Sequence, residues 1–373
     1  MASRRRAQST GGEASPFAGV VPGHALVDLI GHGPAVASLR RQLSSQALSH
    51  AYWLSGPPQV GKTTLALAAA AEFLDAANWP GGLLAHPDLW LDDGAGTLGI
   101  DRIRTPDSDA DSDLGPPLQH FLSRSSFAGR GKVAVIGNAE RLSLPAANSL
   151  LRLLEEPAPN TMIWLCTSRP DSEHLPNTLR SRCQQQLLGP VETATIRNWL
   201  IEAHGVVPEA ARVAAAICLG RPGLGLEMAQ DQDLERLTRE RLDSFSDCAG
   251  RGPAGWLELS RQLAERGTDR GVAVGALRVW ASFLRDCCCL AAGAPEQARL
   301  AEPSGPAQSW ASSLGLSGCS KRYDLALDSL SRLDELATPR LVLDRFLLRT
   351  FGGNPPSPPV SAPQAARSES DQR

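Results

Sequence analysis

The pattern of apolar positions changes character along the chain. Between about residue 24 and residue 190, short continuous apolar runs alternate with longer segments in which apolar residues return at helical spacing. The runs "AYWL" from Ala51, "KVAVIGNA" from Lys132 and "TMIWLCTS" from Thr161 have the length and the β-branched or aromatic content of buried strands. "AVASLRRQLSSQ", "TTLALAAAAEFL" and "LPAANSLLRLLEEP" carry helical spacing. Strand, loop, helix, strand, helix, strand predicts an α/β fold, a parallel sheet covered by crossover helices.

After Pro190 the strand runs stop. "TATIRNWLIEAHG", "EAARVAAAICLG", "GLGLEMAQ", "VAVGALRVWASFLRDCCCLAA" and "DLALDSLSRLDELATPRLVLDRFLLRTF" all read as helices separated by Gly and Pro. The pattern thus divides the chain into an α/β domain over 21–190, a small helical domain over 191–232 and a larger all-helical domain over 233–351. Residues 1–20 and 352–373 are rich in Pro, Ser, Ala, Gly and charge, and predict disordered tails. Thr105–Pro117, "TPDSDADSDLGPP", has the same character between amphipathic segments and reads as a surface loop insertion. Its acids lack the Gly and Glu of an EF-hand loop, which favours a solvated loop over a calcium site.

Composition narrows the function classes. The 373 residues are 42% hydrophobic, enough for several folded domains. A net charge of −3 means that any nucleic-acid contact must come from a local patch or a larger assembly. No run of about 18 apolar residues and no apolar leader segment after "MASRRR" is present, so the expectation is a cytoplasmic protein with no membrane contact. The eight cysteines include no C-x2-C pair, and neighbours in Cys287-Cys288-Cys289 point about 100° apart on a helix. Idle thiols in a reducing compartment, and no metal site, are the expectation.

The chemistry is concentrated in three places. "GPPQVGKTT" places Gly56, Gly61, Lys62, Thr63 and Thr64 in the G-x-x-x-x-G-K-[ST] spacing of a phosphate loop. Glycines let backbone N–H groups turn onto phosphate oxygens, lysine meets the β and γ charges, and a hydroxyl serves magnesium. The loop follows a predicted strand and opens a predicted helix, as that motif requires. Hydrolysis further needs acids at the end of the neighbouring strand, to hold the metal and to activate water. Here that strand runs into Gly137-Asn138-Ala139-Glu140. Glycine has no side chain, and asparagine is a poor proton acceptor. Glu140, further along, is expected to pair with a surface cation. The third place is "TSRPDSEHLPNTLRSRCQQ". Thr167 and Ser168 end a predicted strand where a hydroxyl could sense a γ-phosphate. Arg182, in Ser181-Arg182-Cys183, offers forked donors suited to phosphate charge, including charge in a neighbouring subunit, although alone it would read as one more surface cation.

Taken together, "LIGHGPAVASLRRQL", "LSHAYWLSGPPQVGKTTLA", "HPDLWL" with "LGIDRIR", "FAGRGKVAVIGNAERLSLPAANSLLRLLEEP" and "TLRSRC" resemble, in that order, the bacterial clamp-loader AAA+ family. The resemblance covers roughly Leu29 to Pro190 strongly and the helical remainder weakly, through "PRLVLDRFLLR". It implies an AAA+ P-loop parallel-sheet domain followed by a small helical lid and an all-α C-terminal collar. It implies a pentameric loader with ATP and Mg2+ between neighbouring subunits, and partners that are the tau/gamma and delta subunits, the sliding clamp and primer-template DNA. Arg182 would be an arginine finger for the ATP of an adjacent tau/gamma-type subunit, in a chain that itself hydrolyses little or none. Relatives with zinc carry four cysteines in the segment corresponding to Phe73–Ala85, where this chain has none, so no zinc is expected. Gly223 stands where hydrolysing relatives have a sensor arginine. The competing reading is an ATP-hydrolysing AAA+ motor subunit, tau/gamma-type or similar to a Holliday-junction helicase, for which both missing acids would be needed.

Overall fold

A computed structural model describes residues 26, 29–45, 47–92, 96–104, 116–169, 175–265, 270–300, 305–334 and 337–352. Both predicted tails, apart from Gly352, and most of the 105–117 insertion lie outside the described residues. The chain forms two compact units, 1–192 with 221–224, and 193–220 with 225–373.

The first unit is built on five parallel strands, β1 (Ala51–Ser55), β2 (Leu89–Asp92), β3 (Lys132–Ile136), β4 (Thr161–Thr167) and β5 (Gln184–Leu187), in the order β2-β3-β4-β1-β5. Its helices are α1 (Gly33–Ser44), α2 (Lys62–Leu74), α3 (Ile100–Ile103), α4 (Leu118–Ser123), α5 (Leu144–Glu155) and α6 (Asn177–Arg180). β1 lies between β4 and β5, with Ser55 level with Thr167 and Leu187. The pleat alternates side chains between two faces, which makes two cores. Tyr52, Leu54, Val133, Val135, Trp164 and Cys166 face α1 and α2, with Tyr52 stacked on Trp164 at 4.2 Å between centroids. Trp53, Ala134, Ile136, Ile163 and Leu165 face the other way, onto Leu150 and Leu154 of α5 and Leu179 of α6.

β2 and β5 are strands that the apolar pattern leaves unmarked. β5, "QQQL", is mostly exposed and is extended because it pairs with the end of β1. β2 is pinned by Asp88, whose carboxylate is 1% exposed and accepts from Ser126 Oγ at 2.9 Å and from Phe127 N and Ala128 N at 2.8 Å each. Burial alone would raise the Asp88 pKa, but these donors outweigh it and hold the carboxyl below its usual range.

The second unit contains α7 (Thr193–His204), α8 (Pro208–Ile217), α9 (Pro222–Ala229), α10 (Leu234–Asp247), α11 (Pro253–Leu263), α12 (Arg270–Ala291), α13 (Pro306–Asp334, broken at Gly315) and α14 (Pro339–Phe351), except that residues 221–224, the start of α9, cluster with the first unit. Phe245 of α10, Trp280 of α12, Trp310 of α13 and Phe346 and Phe351 of α14 form one aromatic core. Ser282 of α12 donates to Ala216 O of α8 at 2.9 Å. The segments read as separate domains, 191–232 and 233–351, therefore share one packed unit, because α8 and α10 both lie against α12. Among the described residues, no helix is long and apolar enough to cross a membrane.

Candidate nucleotide site

The site grows from the end of β1. Ser55 O accepts from Leu188 N at 2.8 Å, and Gly56 N donates to Thr167 O at 3.3 Å, so the chain leaves the sheet between β4 and β5. Gly56 has φ 154°, and a Cβ there would overlap the Leu188 carbonyl oxygen. Only glycine lets the loop start so close to the neighbouring backbone. The loop closes at Gly61, φ 109°, and α2 begins at Lys62. His32, itself at φ 51°, places Nε2 3.0 Å from Val60 O and donates to it, tying the turn before α1 to the loop.

Lys62 is 6% exposed. Its Nζ donates to Gly56 O at 2.9 Å, Pro57 O at 2.7 Å and Ser168 Oγ at 2.9 Å. All three acceptors are neutral. Burial pushes the Lys62 pKa down to about 8, the Arg221 guanidinium pushes the same way, and Cys166 and Glu140 oppose the shift. Thr63 is buried beside it and shares a hydrogen bond with the Cys166 thiol, whose own pKa burial pushes up to about 12. Thr64 is half-buried on the next position of α2.

The structure separates the two hydroxyls at the end of β4. Ser168 accepts from Lys62 through Oγ. Thr167 is fully buried and its Oγ1 instead accepts from Arg169 N at 3.0 Å. Ser168 N donates to Glu140 Oε1 at 3.1 Å. With its amide nitrogen turned toward that carboxylate, Asn138 donates to both oxygens at 2.9 and 2.7 Å. Glu140 therefore braces the turn after β4 and lies within electrostatic reach of Lys62, rather than pairing with a surface cation as its sequence position suggests. The turn of Ala139–Arg141 after β3 brings it back over β4.

A second residue that sequence reasoning missed is Arg221, 8% exposed and lowering the Lys62 pKa from the start of α9. Gly223 N donates to Gln59 O at 3.1 Å, and a Cβ at 223 would press to 3.2 Å from Gln59 Cβ and O. Glycine at 223 thus allows close seating on the loop, and an arginine two positions earlier lies within electrostatic reach of Lys62. The signal was the "GRPG" turn, which the pattern alone shows only as a helix break.

Arg182 lies elsewhere, directly after α6. Its Nη2 donates to Glu155 Oε1 at 2.5 Å and its Nη1 to Thr178 O at 2.9 Å, with the side chain 35% exposed. Lys62 is a buried cation within electrostatic reach of Arg221, itself 8% exposed, and of Glu140. That donor set fits an anion such as a nucleotide phosphate. Magnesium would be held by Thr63 and the nucleotide, without an acid from 137 or 138. The eight cysteines are free thiols.

A glycine-rich loop after β1 of a β2-β3-β4-β1-β5 parallel sheet, with Ser168 after β4 beside its lysine, defines an α/β protein of the P-loop type. A family model described as "DNA polymerase III, delta subunit" matches residues 111–192. The chain is 32% identical over 188 residues to the DNA polymerase III subunit delta-prime of Bacillus subtilis, covering 48% of this chain and 53% of that one. It is 32% identical over 206 residues to the subunit of the same name from Pseudomonas aeruginosa, covering 51% and 58%. A solved Thermotoga maritima protein described as DNA polymerase III gamma subunit-related is 17% identical, with 84% and 98% covered and a TM-score of 0.43. Over the matched part, the chain is similar to DNA polymerase III delta and delta-prime subunits. It spans about half the length of the curated relatives it matches.

Proposed function

We propose that this protein is the delta-prime-type subunit of a bacterial DNA polymerase III clamp loader. It helps to place the sliding clamp on primed DNA, hydrolyses little or no ATP itself, and supplies Arg182 to the ATP site of a neighbouring tau/gamma-type subunit. The observation that carries this reading is the end of β3. Gly137 and Asn138 occupy the positions where a hydrolysing site needs acids, and Asn138 is turned to Glu140, while the phosphate grip itself is whole. A site that holds phosphate without the groups that activate water binds better than it turns over. Arg182, outside this pocket and partly exposed, is then available to another subunit's phosphate. ATP with Mg2+ is the proposed ligand of the Lys62 pocket. The helices of the second unit are the proposed contribution to the ring's lid and collar.

The test has two arms. The purified chain alone, with ATP and magnesium, is expected to show no turnover above its Lys62→Ala variant. Turnover abolished by Lys62→Ala would restore the motor reading, with Glu140 as the acid. Combined with tau/gamma and delta subunits, the chain is expected to support clamp loading on primed DNA and Arg182→Ala to depress ATPase. ATPase unchanged by Arg182→Ala would remove the arginine-finger role.

A further inference from the structure

Arg182 is presented in an organised way. Leu179 and Cys183 on either side of it are buried in the same core as Leu150 and Leu154 of α5. Leu154 immediately precedes Glu155, the last residue of α5. The backbones that carry Arg182 and Glu155 are therefore fixed by one set of apolar contacts, although both side chains reach solvent, at 35% and 50% exposure. The guanidinium is held at two points, by the Glu155 carboxylate at 2.5 Å and by Thr178 O at 2.9 Å. Of its five N–H donors, the remaining three are left for another acceptor.

We infer that Glu155 is a positioning residue for Arg182: it holds the guanidinium in the orientation from which it reaches a neighbouring subunit's phosphate. This rests on the arginine-finger reading above. A free arginine side chain loses rotamer entropy when it is fixed. A planar fork already held at one edge loses less on binding a second acceptor. An exposed ion pair is also weak, so a phosphate can share or displace it without a large opposing cost. The carboxylate does not touch the phosphate; it acts through the arginine.

The experiment uses the reconstituted loader with Glu155→Ala, Glu155→Gln, Arg182→Ala and the Glu155→Ala/Arg182→Ala double variant, measuring kcat and KM for clamp- and DNA-stimulated ATP hydrolysis. Glu155→Ala is expected to lower kcat about fivefold, the rate equivalent of about 1 kcal/mol, with KM for ATP unchanged. Glu155→Gln, which keeps an acceptor for Nη2, is expected to recover part of that loss. In the Arg182→Ala background, Glu155→Ala is expected to add nothing, because the group it positions is gone. A structural role alone would lower activity in both backgrounds and gain nothing from glutamine. If Arg182→Ala lowers kcat and Glu155→Ala does not, or if the two losses multiply, the positioning role is overturned and the arginine finger stands. If Arg182→Ala has no effect, the arginine finger itself is overturned, and the positioning role with it.

Discussion

The cost of keeping Lys62 charged in the buried loop can be measured. Lys62 is 6% exposed, and its pKa falls from 10.5 to about 8 because burial removes water from the ammonium, with Arg221 adding to the effect. A tenfold change in proton affinity is worth about 1.4 kcal/mol, so the protonated lysine costs the folded state about 3 kcal/mol at neutral pH. The sign follows from proton counting. Between about 8 and 10.5 the unfolded chain binds the proton more tightly than the folded one, so stability rises with pH across that window. Lys62→Met removes the titration and roughly keeps the volume. Relative to this variant, the wild type should gain about 2 kcal/mol between about pH 7 and about pH 9.5. Urea unfolding of both proteins at each pH reads this directly, through the transition that exposes Trp53, Trp90 and Trp164 of the first unit. Taking the difference between variants cancels the groups that titrate in both. If the two proteins track each other within about 0.5 kcal/mol over that range, Lys62 is not held as a destabilised cation, and it is not a site built for an anion.

Two further outcomes follow from the same geometry. Asp88→Asn replaces a carboxylate that accepts three hydrogen bonds and should cost about 2–3 kcal/mol near neutral pH. Because the Asp88 pKa is depressed, its contribution is present above the ordinary value of 3.8 and lost as pH falls below it; in acid unfolding the wild type and Asp88→Asn should converge there, and a constant gap would refute the assignment. Ser168→Ala removes the hydroxyl that accepts from Lys62, whereas Thr167→Ala removes one turned to Arg169 N. A fluorescent ATP analogue should bind about tenfold more weakly to Ser168→Ala and about equally to Thr167→Ala, and the reverse order would show that the sensor hydroxyl is misassigned.

How much of this was legible can be judged residue by residue. The glycine loop, the three central strands and helices such as α1, α2, α5, α7, α8, α12 and α14 follow from local rules, since glycine spacing, apolar runs and helical period each constrain backbone within one element, whereas α3, α4, α10 and α11 are unmarked by that pattern. "QQQL" is different, because nothing apolar marks it and it is a strand only through its pairing with β1. The division of the helices after Pro190 into units was equally hidden, because helical spacing shows that a face is buried and not which helix buries it.

The site shows the same limit at closer range. Sequence alone determined the G-x-x-x-x-G-K-T spacing through Lys62 and Thr63, and Gly137-Asn138 in place of acids at the end of β3. The tertiary structure decided which hydroxyl meets Lys62, since the pleat turns Thr167 into the core and leaves Ser168, 106 residues from Lys62 along the chain, beside the ammonium. It also decided that Glu140 braces the turn after β4, that Arg221 stands within electrostatic reach of Lys62, and that Glu155 pairs with Arg182. Each depends on elements brought together by the sheet order and the cores on its two faces, and a charged side chain carries no periodic signal of the partner it will meet.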